Sequence, residues 1–249
     1  MITSGRTILR LSGPDTRDFL QGLVTNDVGK VDQGLVYAAI LTPQGKYLAD
    51  FFLLSDAGDI LLDVHDSLGD MLSQRLNMYK LRADVTLTQV DLHLHRGQGS
   101  VPEDGYQDPR SQSLGWRAYR ETPQEGGDCD WAALRIADLI PETGEELHPD
   151  TFILEAGFER LAGVDFRKGC YVGQEVTARM KHKTELRKGL ARVRLSKPVP
   201  AGTEVTSDGK PVGRLHTVAA NEAIAYLRFD RAQGDMTAGD ATVELIERP

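Results

Sequence analysis

The stretch KGCYVGQE, Lys168–Glu175, groups residues whose types and spacing could support thiol chemistry. Cys170 is one of only two cysteines in the chain, and the residues from Gln174 to His182 are predicted to form a helix. A nearby lysine and a helix N-terminus both lower the pKa of a thiol and favour the reactive thiolate. Cys170 is therefore a candidate reactive or ligand-binding thiol, with a buried structural cysteine at a tight turn as the alternative.

The residues around the cysteine offer further functional groups. Gly169 and Gly173 allow sharp turns or the close approach of a ligand. Glu175 falls in the first turn of the predicted helix, where a negative charge is favoured. The basic run Arg179–Lys188 could bind an anionic tail or a phosphate, or it could be a solvated helix end. Four acidic residues are each possible partners for a ring amidine: Asp27, Asp50, Glu155 and Glu175.

Histidines that could work with the thiol are scattered along the chain. A protease-type nucleophile needs a histidine base, and His182 lies twelve positions after Cys170. His93 and His95 alternate on a predicted strand, so they share one face and could in principle hold a metal with Cys170. The pattern favours strand-surface histidines, and no metal site is predicted.

The elements that must position the motif follow an α+β pattern with antiparallel hairpins. Thr42–Gly45 contains the Pro and Gly of a turn between two β-rich runs. The apolar periodicity predicts an amphipathic helix over Ser67–Leu81, with Ser67 as its N-cap. From Gly189 onward, short β runs separated by turns, including the hairpin signal Asp208–Gly209, predict a small barrel or curled sheet.

Composition restricts the classes of function. The net charge is −8 and the pI is near 5.3, which argues against nucleic acid or a membrane surface as a partner, because both attract basic proteins. Two distant cysteines predict neither a disulfide framework nor a cluster held by this chain alone. The sequence shows no signal peptide, import leader or long apolar run, and a cytoplasmic location is predicted.

The motif and three further stretches of the chain resemble sequences of a known protein family. KGCYVGQE resembles the K-G-C-[FY]-x-G-Q-E signature of the YgfZ family of folate-binding proteins, which are relatives of the aminomethyltransferase (T-protein) of the glycine cleavage system. FLQGLVTNDV near the N-terminus, LTPQGKYLADFFL in the predicted hairpin and DGKPVGRL near the C-terminus are similar to other stretches of that family. The resemblance covers most of the chain.

The resemblance implies a three-lobed, cloverleaf-like GcvT/YgfZ fold of the α+β class. Two α/β lobes and a small C-terminal β-barrel would surround a central cavity. The expected boundaries are 1–95 for the first α+β lobe, 96–188 for the second lobe with the motif, and 189–249 for the barrel. The first two lobes are free to interleave.

The resemblance also implies a function. A tetrahydrofolate would bind in the cavity, and the protein would act in the assembly, maturation or repair of iron–sulfur proteins, with client or assembly proteins as partners. An assembly factor is expected rather than a classical enzyme, with a folate-dependent aminomethyltransferase or demethylase as the alternative. Cys170 and Lys168 are the expected catalytic residues. The remaining site residues carried over with the motif are Gly169, Tyr171, Gly173, Gln174, Glu175 and Arg179.

Overall fold

A computed structural model describes residues 5–127, 129–182 and 185–249 of the chain. The chain forms two compact units, and neither unit is continuous in sequence. The first unit comprises Met1–Cys129 and Leu161–Gln174, and the second comprises Asp130–Arg160 and Glu175–Pro249. The three lobes with boundaries after residues 95 and 188 stay a prediction.

A five-stranded antiparallel sheet forms the centre of the first unit. Its strand order is β2-β3-β4-β1-β5. The strands are β1 Arg6–Ser12, β2 Val36–Leu41, β3 Tyr47–Asp56, β4 Asp59–His65 and β5 Thr86–Val90. Every residue of β2 is buried, as its uniformly apolar sequence VYAAIL requires. The predicted hairpin is confirmed, because β2 pairs with β3 and the Gly45 amide donates to the Thr42 carbonyl at 2.8 Å.

Two helices cover one face of this sheet. They are α1, Thr16–Gln21, and α2, Asp66–Tyr79. Leu20 of α1 and Leu72 and Leu76 of α2 are fully buried in the same apolar cluster as the sheet residues. Helix α2 begins one residue before the predicted helix, and His65 rather than Ser67 is its N-cap, because the His65 ring accepts a hydrogen bond from the Ser67 amide.

A second, three-stranded sheet in the first unit has the order β6-β8-β7. Its strands are β6 His93–Gly97, β7 Tyr106–Gln107 and β8 Trp116–Arg120. Asp63 of β4, which is 1% exposed, accepts hydrogen bonds from Arg6, Arg117 and Tyr119 at 2.6, 2.7 and 2.8 Å. Burial alone would raise the pKa of Asp63, but the two guanidinium groups hold it below its usual value. This ionic network joins the two sheets.

The segment from residue 161 to 174 returns to the first unit and packs beside the loop after α1. The Thr25 hydroxyl donates to the Gly163 carbonyl at 2.7 Å, and the Asn26 amide donates to the Ala162 carbonyl at 2.6 Å. Lys30 and Asp165 form an ion pair at 2.7 Å. These contacts fix the path of the chain immediately before the cysteine motif.

The second unit is built on a closed antiparallel barrel with the order β10-β11-β12-β9-β14-β13. The strands are β9 Gly189–Leu195, β10 Glu204–Ser207, β11 Lys210–Ala219, β12 Glu222–Leu227, β13 Met236–Ala238 and β14 Ala241–Glu247. Asp208 and Gly209 both have positive φ angles, 50° and 72°, as a two-residue hairpin requires. The predicted C-terminal barrel is confirmed.

The described residues contain two further α-helices: α3, Trp131–Ala137, and α4, Gln174–Lys181. Arg135 of α3 is buried, and its guanidinium donates to Glu146 at 2.9 Å and to Thr217 of β11 at 2.8 Å. The buried Arg135 guanidinium, paired with Glu146, therefore links helix α3 to barrel strand β11. Helices and antiparallel sheets together confirm the predicted α+β class.

Candidate functional site

The motif loop, Lys168–Gly173, presents the thiol of Cys170 at the protein surface. Cys170 is exposed and unpaired, and it precedes the first residue of α4 by four positions. The alternative of a buried structural cysteine therefore does not apply. The helix predicted from Gln174 to His182 is confirmed to within one residue.

Lys168 is buried and holds the motif loop against the end of α1. Its ammonium donates to the carbonyl of Gln21 at 2.6 Å and to that of Val24 at 2.5 Å. Burial lowers the pKa of Lys168 to about 8, although the charges of Asp27, Asp165 and Cys170 favour the protonated form. The ammonium also lies 5.0 Å from the centre of the Tyr171 ring. Lys168 is thus engaged in positioning the loop.

The two glycines of the motif have different surroundings. Gly173 has a φ of 85°, and a Cβ atom there would lie 2.7 Å from the Thr42 carbonyl oxygen of the β2–β3 turn. Only glycine fits this position. Gly169 has no atom within 4 Å of an added Cβ, so nothing in the described structure requires a glycine there.

The remaining motif residues either hold the loop in place or lie at the beginning of α4. Tyr171 is buried, with 7% of its surface exposed, and its carbonyl accepts from the Gln174 amide at 3.2 Å. Glu175 lies in the first turn of α4 and accepts a hydrogen bond from Arg179 at 2.6 Å. Both side chains of this pair are exposed, so the pair adds little to stability.

The arrangement limits what the thiol can do alone. An exposed thiol can attack a soft electrophile or bind a soft metal as a thiolate. Across residues 5–127, 129–182 and 185–249, no group of three His, Cys, Asp or Glu side chains is placed to hold a metal ion. His95 is buried and pairs with the Thr122 carbonyl at 2.7 Å, and His93 lies 3.5 Å from Asp91.

A second candidate site is a wide groove of about 1040 Å³ in the second unit, called here the basic groove. Four cations line it, and they outnumber its carboxylates Glu155, Glu185 and Asp230. The cations are Arg187, Lys188, Arg228 and Arg248. The first two belong to the basic run Arg179–Lys188, for which the sequence left open anion binding or a solvated helix end. Lys183 and Thr184 of that run lie outside the described residues.

Glu155 is the buried carboxylate of the basic groove. It is 6% exposed, accepts a hydrogen bond from the Tyr226 hydroxyl at 2.6 Å, and lies 3.7 Å from the Lys188 ammonium. Burial, and then the bond to Glu155, raise the pKa of Tyr226 above its usual range. A carboxylate with a phenol and cations beside it can bind a planar amidine and an acidic tail.

The other acidic candidates have separate places in the first unit. Asp50 is buried and accepts hydrogen bonds from Tyr37 at 3.0 Å and Tyr47 at 2.6 Å. Asp27 caps a short 3₁₀ helix by accepting from the Gly29 amide at 3.0 Å. Sequence reasoning missed Tyr226, Arg228 and Arg248, because they come from barrel strand β12 or lie beyond it.

Comparison with known proteins identifies the family. The mitochondrial iron–sulfur cluster assembly factor IBA57 of Homo sapiens is 30% identical over 279 aligned residues, which cover 93% of this chain and 78% of the human protein. The Mus musculus protein of the same name is 29% identical, with 97% and 81% covered. The chain belongs to the IBA57 family. Its residues 187–248 also match the family described as CAF17, C-terminal beta-barrel domain.

The fold has a relative among solved structures. The glycine cleavage system aminomethyltransferase T from Bartonella henselae has a TM-score of 0.78, with 98% of this chain and 83% of that chain covered. The sequences are only 12% identical, so this likeness shows the fold and not an activity. The GcvT-like fold predicted from the motif is confirmed.

The comparisons correct the predicted location and confirm the predicted family resemblance only in part. The cytoplasmic location predicted from the N-terminal residues and cysteine count is wrong, because the IBA57 relatives are named as mitochondrial proteins. The resemblance to YgfZ is confirmed only at the coarser level of iron–sulfur assembly factors with a GcvT-like fold and a CAF17-type barrel. In the described parts of the chain, no helix is long and apolar enough to cross a membrane.

Proposed function

We propose that the protein acts in the assembly, maturation or repair of iron–sulfur proteins, with Cys170 as the thiol that meets the cluster or a partner thiol. Membership of the IBA57 family supports the role. The observation that carries the proposal is the exposure of the unpaired Cys170 thiol just before α4.

A single thiol restricts how the protein can handle its cargo. Iron–sulfur clusters are usually held by four cysteine thiolates. Cys170 can contribute one, and the described residues offer no metal-binding group of three. The cluster would therefore be shared with a client or assembly protein that supplies the other ligands, and the Cys170 thiolate would bind or release one iron during transfer.

Cells that lack the protein test this role. Restoring the wild-type chain should restore the activity of [4Fe–4S] enzymes, while a metal-free enzyme measured in the same extracts stays constant. Equal [4Fe–4S] enzyme activity with and without the chain, under conditions that demand cluster synthesis, would remove the proposed role.

We also propose that tetrahydrofolate binds in the basic groove. The charges of the residues fit its chemistry, since Glu155 can accept hydrogen bonds from the pterin amidine. Arg187, Lys188 and Arg248 can pair with the carboxylates of a glutamate tail. Bound folate would supply a one-carbon carrier or a reductant. The predicted location of Cys170 at the folate cavity stays a prediction.

A titration with tetrahydrofolate tests the groove. Glu155→Gln should weaken binding by about tenfold or more, because the amide presents a donor to the amidine and loses the charge. Glu159→Gln is the matched control, since Glu159 is an exposed carboxylate paired with Lys181. Equal affinities for the wild type and both variants would exclude the basic groove as the folate site.

A folate-dependent transfer of a one-carbon group is the alternative function predicted from the sequence. The likeness to an aminomethyltransferase is a likeness of fold alone, and fold does not determine reaction. The shared fold therefore gives no support to a transferase reaction in this protein.

A further inference from the structure

The C-terminal end of α2 exposes large apolar side chains beside cations. Among the described residues, only three large hydrophobic side chains are exposed, and two of them lie here: Met78 at 63% and Leu81 at 87%. Single exposed apolar residues are ordinary, but two within four positions form a small patch. We call the segment Met78–Arg82 the α2 tip.

Leu81 also has an unfavourable backbone conformation. The helix ends at Tyr79, Lys80 is its C-cap, and Leu81 follows with a φ of 44°. This left-handed position after a helix is usually occupied by glycine or asparagine, because a larger side chain meets its own backbone there. Leu81 therefore carries conformational strain and gains almost no burial in return.

The charge of the α2 tip differs from that of the whole chain. The net charge of the chain is −8, yet residues 75–83 contain Arg75, Lys80 and Arg82 and no acidic residue. Lys80 donates to the Val85 carbonyl at 3.0 Å, whereas Arg82 is exposed and forms no hydrogen bond or ion pair with the described residues. An apolar patch with an available guanidinium beside it matches an apolar pocket edged by carboxylates.

We propose that the α2 tip is a docking surface for an acidic protein, whose apolar pocket receives Leu81 and Met78 and whose carboxylates pair with Arg82. The strain at Leu81 is then explained, since the side chain contributes to binding and not to folding. The inference stands apart from the proposed function, because it uses neither Cys170 nor the basic groove.

A lipid surface fits these observations less well. Helices that lie on membranes offer a continuous apolar face, whereas α2 buries its apolar face against the sheet and exposes a large apolar side chain only at its end. A second copy of this chain remains as a distinct outcome of the test.

Site-specific photo-crosslinking tests the surface. The full chain carries p-benzoylphenylalanine at position 78 in one strain and at Asp70, an exposed residue about 12 Å earlier along the same helix, in another. We expect a cross-link from position 78 to one acidic protein and none from position 70. Leu81→Asn or Arg82→Glu, added to the position 78 chain, should lower the yield about tenfold. In the chain with Arg82→Glu, the cross-linking yield should recover when the partner's carboxylate that faces position 82 is changed to lysine, because the two charges are then exchanged.

Melting temperature separates docking from folding. Leu81→Asn should raise the Tm by about 2 °C, because asparagine tolerates the left-handed conformation. A lower Tm would contradict the strain argument. The proposal is overturned if position 78 yields no product, if it yields the same product as position 70, or if the product is a second copy of this chain. It is also overturned if the charge exchange gives no recovery. Flotation with anionic vesicles that is lost in Leu81→Asn would also overturn it, in favour of a lipid surface.

Discussion

Gly169 and Gly173 stand on either side of Cys170 and have different reasons to be glycine. Gly173 combines a positive φ with the close approach of the Thr42 carbonyl, whereas the space at Gly169 is open. Gly173→Ala should lower the Tm by several degrees, because an added Cβ would move the loop away from the β2–β3 turn. Gly169→Ala should leave the Tm unchanged, as a thermal melt of both variants can check.

Functional assays of the same two variants separate folding from recognition. If Gly169→Ala melts like the wild type but lowers [4Fe–4S] enzyme activity in cells, a partner or ligand approaches the backbone beside Cys170. A Gly173→Ala variant with wild-type Tm would contradict the packing described for the loop.

Lys168 makes the stability of the first unit depend on pH. Its pKa is lowered from about 10.5 in an unfolded chain to about 8 in the fold, chiefly by burial. Between these values the unfolded chain binds more protons than the folded one, so the free energy of unfolding rises with pH. Relative to Lys168→Met, the wild type should gain up to about 1.4 kcal/mol per pH unit from pH 8 to 10.

Urea denaturation of both proteins at several pH values measures this difference. A constant difference across that window would show that Lys168 keeps its ordinary pKa in the fold. The sequence predicted the closeness of Lys168 to the thiol, but it could not show that the ammonium is held by carbonyls 147 and 144 positions earlier in the chain.

At the scale of elements, Asp63 is the shared partner through which β4, β1 and β8 are joined. Asp63→Asn leaves Arg6 without its counter-charge and leaves Arg117 with only Asp108, 3.4 Å away, in a buried site, which costs about 3–5 kcal/mol. Urea denaturation measures the loss. Asp32→Asn, which breaks an exposed pair with Arg17, is the control and should change stability little. Comparable losses in both variants would contradict the buried network.

Local patterns predicted some elements well and others only in part. The Thr42–Gly45 hairpin and the barrel were predictable, because turn residues and β alternation act over a few positions. The end of α2 was not. Periodicity continued through Leu81, but the left-handed backbone at that residue ends the helix earlier, and no glycine or asparagine marks the position.

At the scale of the whole molecule, the order of the chain does not follow the compact units. Residues 161–174 belong to the first unit although residues 130–160 belong to the second. Hydrophobic periodicity indicates which residues share a face of one helix or strand. It does not indicate that a later segment of the chain packs back into an earlier unit. The motif was found from sequence, while the basic groove was found only in part, since Arg228 and Arg248 come from distant segments of the second unit.

We propose that the exposed thiol of Cys170 carries the function. The direct measurement is [4Fe–4S] enzyme activity in cells lacking the protein, complemented at matched protein levels with Cys170→Ser, or with Cys129→Ser as the control. We expect Cys129→Ser to restore activity fully and Cys170→Ser to restore about a tenth or less, with an unchanged Tm because Cys170 is exposed. Full restoration by Cys170→Ser would show that the function does not need this thiol.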